Sequence, residues 1–194
     1  MAPAASGTRK SFDPFLSMTW PGSLRAPKTR AFLASAIPLL AADRISKSLA
    51  YARLQPIGIP HQVIGNGVRF TLLLNRDAAM NLSLGPWSRW GFAAIAVIGI
   101  AVVLRLQFVS AEDARSRGIA LGLIAAGALG NLIDRLRWSG GVVDFIDLGL
   151  ARHRFWTFNV ADAGVIIGAV LLALVFSREP PTPASANAVS AGRD

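Results

Sequence analysis

The chain of 194 residues is 53% hydrophobic and only 16% charged, whereas soluble domains carry about 25% charged residues. This deficit of charge indicates a protein embedded in lipid. The formal net charge of +9 is expected to meet the anionic membrane surface rather than nucleic acid, because the basic residues flank apolar segments. The absence of cysteine excludes disulfides and thiolate chemistry, and the two histidines have no metal-binding spacing. We expect no metal and no cofactor.

The first 29 residues are basic and rich in Pro, Ser and Ala. They lack an apolar segment followed by a small-residue cleavage site, so they do not resemble a cleavable signal peptide. We expect residues 1–29 to be a disordered arm near the anionic membrane surface. Residues 30–177 are predicted to form a membrane domain, and residues 178–194 a disordered tail.

Four apolar stretches follow, and each approaches the ~20 residues that cross about 30 Å of hydrocarbon. Because backbone polar groups in lipid must be satisfied within each span, every stretch predicts a helix. The stretches are residues 30–54, 89–106, 117–136 and 158–176. Small residues recur every four positions along the last two, which predicts close helix packing: Gly118, Gly122, Ala126, Gly130, Gly164 and Gly168. The predicted fold class is an all-α integral membrane protein with four transmembrane helices.

The connection between the first and second spans carries a strand signal. Residues 68–74 are β-prone and partly alternating, and residues 65–67 precede them as a turn. We expect a small extracytoplasmic β-sheet here, on the membrane surface. The basic residues before the first helix predict that both termini are cytoplasmic. Tryptophans where the spans meet the extracytoplasmic loops predict an aromatic belt: Trp87, Trp90, Trp138 and Trp156.

Asp43 and Lys47 form a polar pair within the first span. A charged side chain at mid-bilayer costs at least about 2.5–3.5 kcal/mol, so each charge calls for a partner. The residues lie four apart, acid before base, and so share a helix face in the order that favours an ion pair. The pair is either a structural salt bridge or a means of holding a substrate or an active-site loop.

Two carboxylates, Asp144 and Asp162, stand on opposite limbs of the hairpin between the third and fourth spans. Aspartyl catalysis requires one ionised carboxylate to take a proton from water and one protonated carboxyl to polarise the scissile carbonyl. Two such groups close together in low dielectric cannot both ionise, so one pKa rises. Amides of Asn131 and Asn159 could orient the pair. From residue chemistry alone, aspartyl catalysis and structural polar packing both remain open.

Four ordered blocks of the sequence are a more specific signal of function than the paired carboxylates alone. The first has the form Asp-x-x-Ser-Lys, the second the form Gly-x-x-Gly-Asn-x-x-Asp-Arg, and the last two contain the paired aspartates. They are residues 43–47 (DRISK), 127–135 (GALGNLIDR), 142–145 (VVDF) and 158–162 (FNVAD). In this order and at these membrane-compatible positions, the blocks resemble those of the lipoprotein signal peptidases (signal peptidase II family). The resemblance covers residues 35–175.

The resemblance implies a membrane aspartyl endopeptidase that removes the signal peptide from diacylglyceryl-modified prolipoproteins, cutting just before the lipid-modified cysteine. It implies that Asp144 and Asp162 are the catalytic dyad. Further residues are expected to bind substrate or support the dyad: Asn75, Asn131, Asp134, Arg135, Asn159, Asp43 and Lys47. We expect prolipoproteins and membrane lipids as partners, no nucleic acid, and a monomer. The location would be the bacterial inner membrane, with the active site near the outer leaflet.

One block departs from the family pattern. The family carries Asn-x-Gly-Ala-Ala-Phe after its β-strand, whereas residues 75–80 of this chain read NRDAAM. Asp77 therefore replaces a glycine, which tolerates positive φ at little cost, and Met80 replaces a phenylalanine. We expect the shape of the substrate loop, and with it the substrate preference, to depart from the family while the dyad does not.

Two other classes of function make different predictions. A proton-coupled carrier would place acidic residues near the midplane and repeat one half of the chain in the other. Asp144 and Asp162 are instead expected at the interface, and no repeat is visible. A catalytically inactive lipoprotein-binding scaffold would have lost one member of the dyad, and both are present. Both alternatives fit the sequence less well than the peptidase.

Overall fold

The computed structural model describes residues 25–77, 82–150 and 153–178. Most of the predicted arm and tail, and residues 78–80 of the departing block, lie outside this part. The described residues form helices and a small antiparallel sheet. In chain order they are α1 (Pro27–Arg53), β1 (Pro60–Ile64), β2 (Val68–Asn75), α2 (Ser88–Val109), α3 (Arg115–Arg137), β3 (Val142–Leu150), β4 (His153–Arg154) and α4 (Val160–Ser177). A short 3-10 turn, Gly85–Trp87, precedes α2.

Each predicted span is a helix in the structure. Among the described residues, three helical segments are long and apolar enough to cross a membrane: Gly85–Val109, Arg115–Arg137 and Val160–Ser177. Helix α1, at 27 residues, is longer than any of these but carries several charges. It begins at Pro27, a residue that suits the first turn of a helix because its missing N–H has no partner there. Residues 27–29 therefore belong to the helix and not to the predicted arm.

Helix α3 packs against each of the other three helices. Its small residues allow the close approach that the sequence predicts. A Cβ on Gly130 would lie 2.5 Å from Oδ2 of Asp43 on α1, and a Cβ on Gly168 of α4 would lie 2.7 Å from the carbonyl oxygen of Ala120. A larger residue at position 168 would push the helices apart, and one at position 130 would displace the Asp43 carboxylate, so the predicted packing role is confirmed there.

The sheet differs from the sequence prediction in where its strands come from. The predicted strand over residues 68–74 is confirmed as part of β2. Residues 142–150, in the connection between the third and fourth spans where no strand is predicted, form β3 and pair with β2. The strand order is β1-β2-β3-β4, so the sheet joins the α1–α2 and α3–α4 connections. The physical reason is that β2 offers a free edge and β3 is rich in β-branched and aromatic residues.

This pairing places the sheet and the start of α4 at one end of the helix bundle. The start of α1 lies at the other end, where the backbone N–H of Lys28 donates to Glu112 in the α2–α3 connection at 3.0 Å. At the sheet end, the Arg89 side chain donates to the carbonyl oxygens of Arg135 and Leu136 at 2.5 and 3.1 Å. These bonds satisfy carbonyl groups that the last turn of α3 would otherwise leave unpaired.

Candidate active site

Asp162 is fixed by the first turn of α4. Asn159 is the N-cap residue of this helix, and its side chain accepts a hydrogen bond from the backbone N–H of Asp162 at 3.0 Å. In return, Oδ2 of Asp162 accepts from the backbone N–H of Asn159 at 3.2 Å. This reciprocal arrangement is a capping box. The positive end of the helix dipole also favours a negative charge at this position.

Asp144 lies on β3 and is buried, with 3% of its surface exposed. Its Oδ1 accepts from Nδ2 of Asn159 at 2.7 Å, and its Oδ2 accepts from Nδ2 of Asn75 at 3.0 Å. Asn75 ends β2, where the register sets it opposite Val142. The β2–β3 ladder therefore delivers the Asn75 amide to the Asp144 carboxylate.

Two asparagines, Asn131 and Asn159, connect the two carboxylates. Asn159 binds Asp144 through its side-chain amide and Asp162 through its capping box. Asn131 on α3 donates to Oδ1 of Asp162 at 2.7 Å and accepts from Asn159 at 3.2 Å. Both aspartates line one cavity of about 40 Å³, which is large enough for a water molecule.

The pKa of Asp144 is raised to about 7. Burial is the main cause, because it penalises the charged form, and the negative charge of Asp162 adds to it. The hydrogen bonds from Asn75 and Asn159 act in the opposite direction by stabilising the carboxylate. A carboxyl with this pKa, beside a second carboxylate, can retain a proton near neutral pH, as the sequence predicts for one member of the pair.

A network of buried charges lies behind the dyad, between α1 and α3. Lys47 forms ion pairs with Asp43 at 3.0 Å and Asp134 at 2.9 Å, and it donates to Oδ1 of Asn131 at 2.9 Å. Arg44 forms a further ion pair with Asp134. Asp43, Lys47 and Asp134 are each at most 1% exposed. The pair predicted from the spacing of Asp43 and Lys47 is thus present within a larger network.

The same network holds the backbone next to each aspartate of the dyad. Oδ1 of Asp43 accepts from the backbone N–H of Ala161 at 3.0 Å, one residue before Asp162. Oδ2 of Asp134 accepts from the backbone N–H of Val143 at 3.3 Å, one residue before Asp144. The buried carboxylates of Asp43 and Asp134 therefore position the backbone segments that carry Asp162 and Asp144.

Arg135 joins the dyad to the departing block. It is 8% exposed, lines the small cavity, and donates from Nη2 to the carbonyl oxygen of Asp77 at 3.1 Å. The Asp77 carboxylate accepts from Ser83 at 2.8 Å, and hydrogen bonds from Ser88 and Ser83 lower its pKa. The aspartate that replaces the glycine therefore has hydrogen-bond donors beside it. The Met80 substitution lies outside the described residues.

The structure brings all of the predicted site residues into one connected cluster. Sequence reasoning missed Arg44, although an arginine inside a span is as expensive as an aspartate and calls for a partner in the same way. It also missed the backbone contacts of Ala161 and Val143, for which the sequence holds no signal, because every residue carries the same N–H group.

Known proteins resemble the chain over most of its length. A family model described as Signal peptidase (SPase) II matches residues 35–178. A lipoprotein signal peptidase of Polynucleobacter necessarius subsp. necessarius is 38% identical over 143 residues, covering 73% of this chain and 85% of that protein. One from Paraburkholderia phytofirmans is 36% identical over 161 residues, covering 78% and 91%.

The fold also has a solved counterpart. A bacterial membrane enzyme solved by the in meso method at 2.3 Å resolution superposes with a TM-score of 0.69 at 27% identity, covering 79% of this chain and 94% of that one. The four sequence blocks, the helical bundle with its sheet, and these similarities agree with one another. The chain belongs to the signal peptidase II family, and it is a membrane peptidase that processes prolipoproteins.

Proposed function

We propose that this peptidase is of the aspartyl type and that Asp144 and Asp162 are its catalytic dyad. It removes the signal peptide from diacylglyceryl-modified prolipoproteins by cutting just before the lipid-modified cysteine. The observation that carries the catalytic type is the bridging of the two carboxylates through Asn159 around one small cavity. In this arrangement one proton is shared between two carboxyl groups, which is the starting state of aspartyl catalysis.

The roles follow from the surroundings of each group. Asp144, with its raised pKa, holds the proton and donates it to the oxygen of the scissile carbonyl. Asp162, at the positive end of α4, is the ionised base that takes a proton from a water molecule as the water oxygen attacks the carbonyl carbon. In the second step Asp162 returns that proton to the leaving nitrogen. The C–N bond breaks, and Asp144 recovers its proton from the hydroxyl group of the tetrahedral intermediate.

The remaining site residues support this chemistry without reacting. Asn75, Asn131 and Asn159 hold the carboxylates through amide hydrogen bonds. Asp43, Lys47 and Asp134 fix the adjoining backbone and the Asn131 side chain, and Arg135 fixes the backbone of the substrate loop at Asp77. Such preorganisation matters because a misplacement of about 1 Å can cost about 10²-fold in rate.

Four membrane-spanning helices and an extracytoplasmic sheet complete the proposal, with both termini cytoplasmic and the site near the outer leaflet of the bacterial inner membrane. Large apolar side chains exposed on α2 and α4 would face lipid: Ile95, Val97, Ile98, Val102, Ile166, Ile167 and Val170. Helix α1 can span as well, because the charges in its second half, Asp43, Arg44 and Lys47, form ion pairs within the bundle. The protein acts as a monomer, with residues 27–177 as its peptidase domain.

The test uses the purified protein in neutral detergent micelles. It is incubated with a precursor whose cysteine carries a diacylglyceryl group, and the products are analysed by mass spectrometry. The expected products are the intact signal peptide and a chain that begins with the modified cysteine. The same precursor without the lipid is the control and should remain uncut. Failure to cut the lipid-modified precursor would contradict the proposal.

A further inference from the structure

A cleft of about 1130 Å³ runs along the sheet, and Asp144 is among the residues that line it. Strand β2 contributes several residues to its lining, although the register between β2 and β3 shifts between Phe70 and Leu73: Arg69, Thr71, Leu73, Leu74 and Asn75. Asn75 stands at the dyad end, where it binds Asp144. Arg69 stands at the far end, six residues away along the strand.

Arg69 carries a charge that the described residues do not neutralise. Its Nη2 donates to Oδ1 of Asn66 at 3.0 Å, while its buried Nε has no hydrogen-bond partner in the described part of the chain. The carboxylate opposite Arg69 in the β2–β3 register is Asp147. That carboxylate is already bound by Arg154, with Nε at 2.9 Å and Nη2 at 2.5 Å, and by Thr71 at 3.1 Å.

The cleft suits one part of a prolipoprotein, and this step rests on the proposed function. The apolar signal peptide belongs beside the apolar helices. The chain that follows the cut is water-soluble and leaves the dyad on the side of the sheet. An extended chain and a strand both advance by about 3.3 Å per residue, so the span from Asn75 to Arg69 is about 20 Å. An extended substrate covers that length in about six residues.

The geometry points to Arg69 as a specificity-determining residue that binds an acidic side chain about six residues after the scissile bond. A guanidinium presents a planar fork of donors that matches a carboxylate, and an unpaired buried Nε supplies one arm of that fork. The contact forms far from the reacting atoms. It should therefore act on substrate binding and appear in KM, with kcat unchanged.

The test compares two lipid-modified precursors that differ only at the fifth to seventh residues after the cut, with Asp at all three positions in one and Asn in the other. Cleavage is measured in neutral detergent micelles at low salt, where charge contacts are least screened. The native protein should favour the acidic precursor by about fivefold or more in kcat/KM through a lower KM. Arg69→Gln should abolish the preference and Arg69→Lys should restore part of it. Arg53→Gln, an exposed arginine of α1 outside the cleft, should leave it intact.

The outcomes separate this inference from the proposed function. If the native protein cuts both precursors equally well, the inference is wrong and the peptidase function stands. If it cuts neither, the proposed function is wrong and the inference with it. The assay is repeated with anionic lipid added to the micelles. If Arg69→Gln slows both precursors alike, and only when that lipid is present, Arg69 binds lipid phosphate and the inference is overturned.

Discussion

Lys47 on α1 donates a hydrogen bond of 2.9 Å to Oδ1 of Asn131 on α3. An ammonium group can only donate, so this bond fixes the oxygen of the Asn131 amide on the side of α1. The amide nitrogen must then face the opposite way, where it donates to Asp162 at 2.7 Å. A charge in the first helix thereby determines which end of an amide is presented to the dyad.

The first prediction concerns the dyad itself. Asp144→Asn and Asp162→Asn should each lower cleavage by about 10³-fold or more, because neither amide can exchange the shared proton. The double variant should be scarcely worse than either single variant, because residues that act as a unit are strongly non-additive. Precursor binding and membrane insertion should survive in all three. Cleavage is measured by release of signal peptide.

Asp147→Asn is the matched control on the same strand. Its Oδ1 can still accept from Arg154 and its amide can still meet the Thr71 hydroxyl, so activity should be retained. If Asp144→Asn were active and Asp147→Asn inactive, the assignment of Asp144 to the dyad would be wrong.

The second prediction concerns pH. Because the pKa of Asp144 is about 7, the dyad should lose its shared proton as pH rises through that value, and kcat should fall on the alkaline side. The hydrogen bond from Asn75 lowers this pKa. Asn75→Ala should therefore move the alkaline limb of the kcat profile to higher pH while lowering its maximum. Gln62→Ala, on exposed β1, is the control and should leave the limb in place. A shift of the alkaline limb of Asn75→Ala toward lower pH would contradict the assignment of this limb to Asp144.

The third prediction concerns the buried charges behind the dyad. Lys47→Ala leaves the Asp43 carboxylate buried without a cation and removes one of two cations from Asp134. Breaking a buried pair by removing one partner is strongly destabilising, whereas replacing both partners is often tolerated. Lys47→Ala should therefore lower the yield of folded protein more than the double variant Asp43→Asn/Lys47→Met. Size-exclusion chromatography of the solubilised protein measures the yield, and equal yields would show that the pair contributes little.

The fourth prediction concerns helix packing at Gly130. A Cβ there would lie 2.5 Å from Oδ2 and 3.2 Å from Cγ of Asp43, so Gly130→Ala should displace that carboxylate and lower stability by about 1–3 kcal/mol. Gly99→Ala on α2 is the matched control, since nothing lies within 4 Å of its added methyl group. Alanine is the better helix former, so the Tm of this control should be unchanged or higher. A Tm for Gly130→Ala equal to that of the control would refute the close contact.

The fifth prediction concerns topology and uses the absence of native cysteine. Single cysteines at the exposed positions Asn66 and Ser139, both at the sheet end, should react with an impermeant thiol reagent added to intact cells. A cysteine at Asp113, in the connection at the opposite end, should react only after the membrane is opened. The reverse pattern of labelling would show that the proposed orientation in the membrane is wrong.

The helices were predictable because lipid demands long apolar segments, and these are visible in the sequence. The paired aspartates were predictable because buried charges are expensive and therefore few. The strand β3 was not recognised, because a short apolar run beside a span does not distinguish a strand from a loop. Its pairing with β2 depends on partners about 67 to 80 residues earlier in the chain, and no local pattern encodes that choice.

The joining of β2 to β3, together with the capping box at the start of α4, has a consequence for the newborn protein. The ribosome must pass residue 150 before β2, the strand that holds Asn75, has its full neighbour β3, and residue 162 before the second carboxylate of the site exists. Partly inserted chains are therefore expected to have no peptidase activity, even toward other polypeptides at the insertion machinery. Peptidase activity is therefore expected to appear only after α4 has been synthesised and inserted.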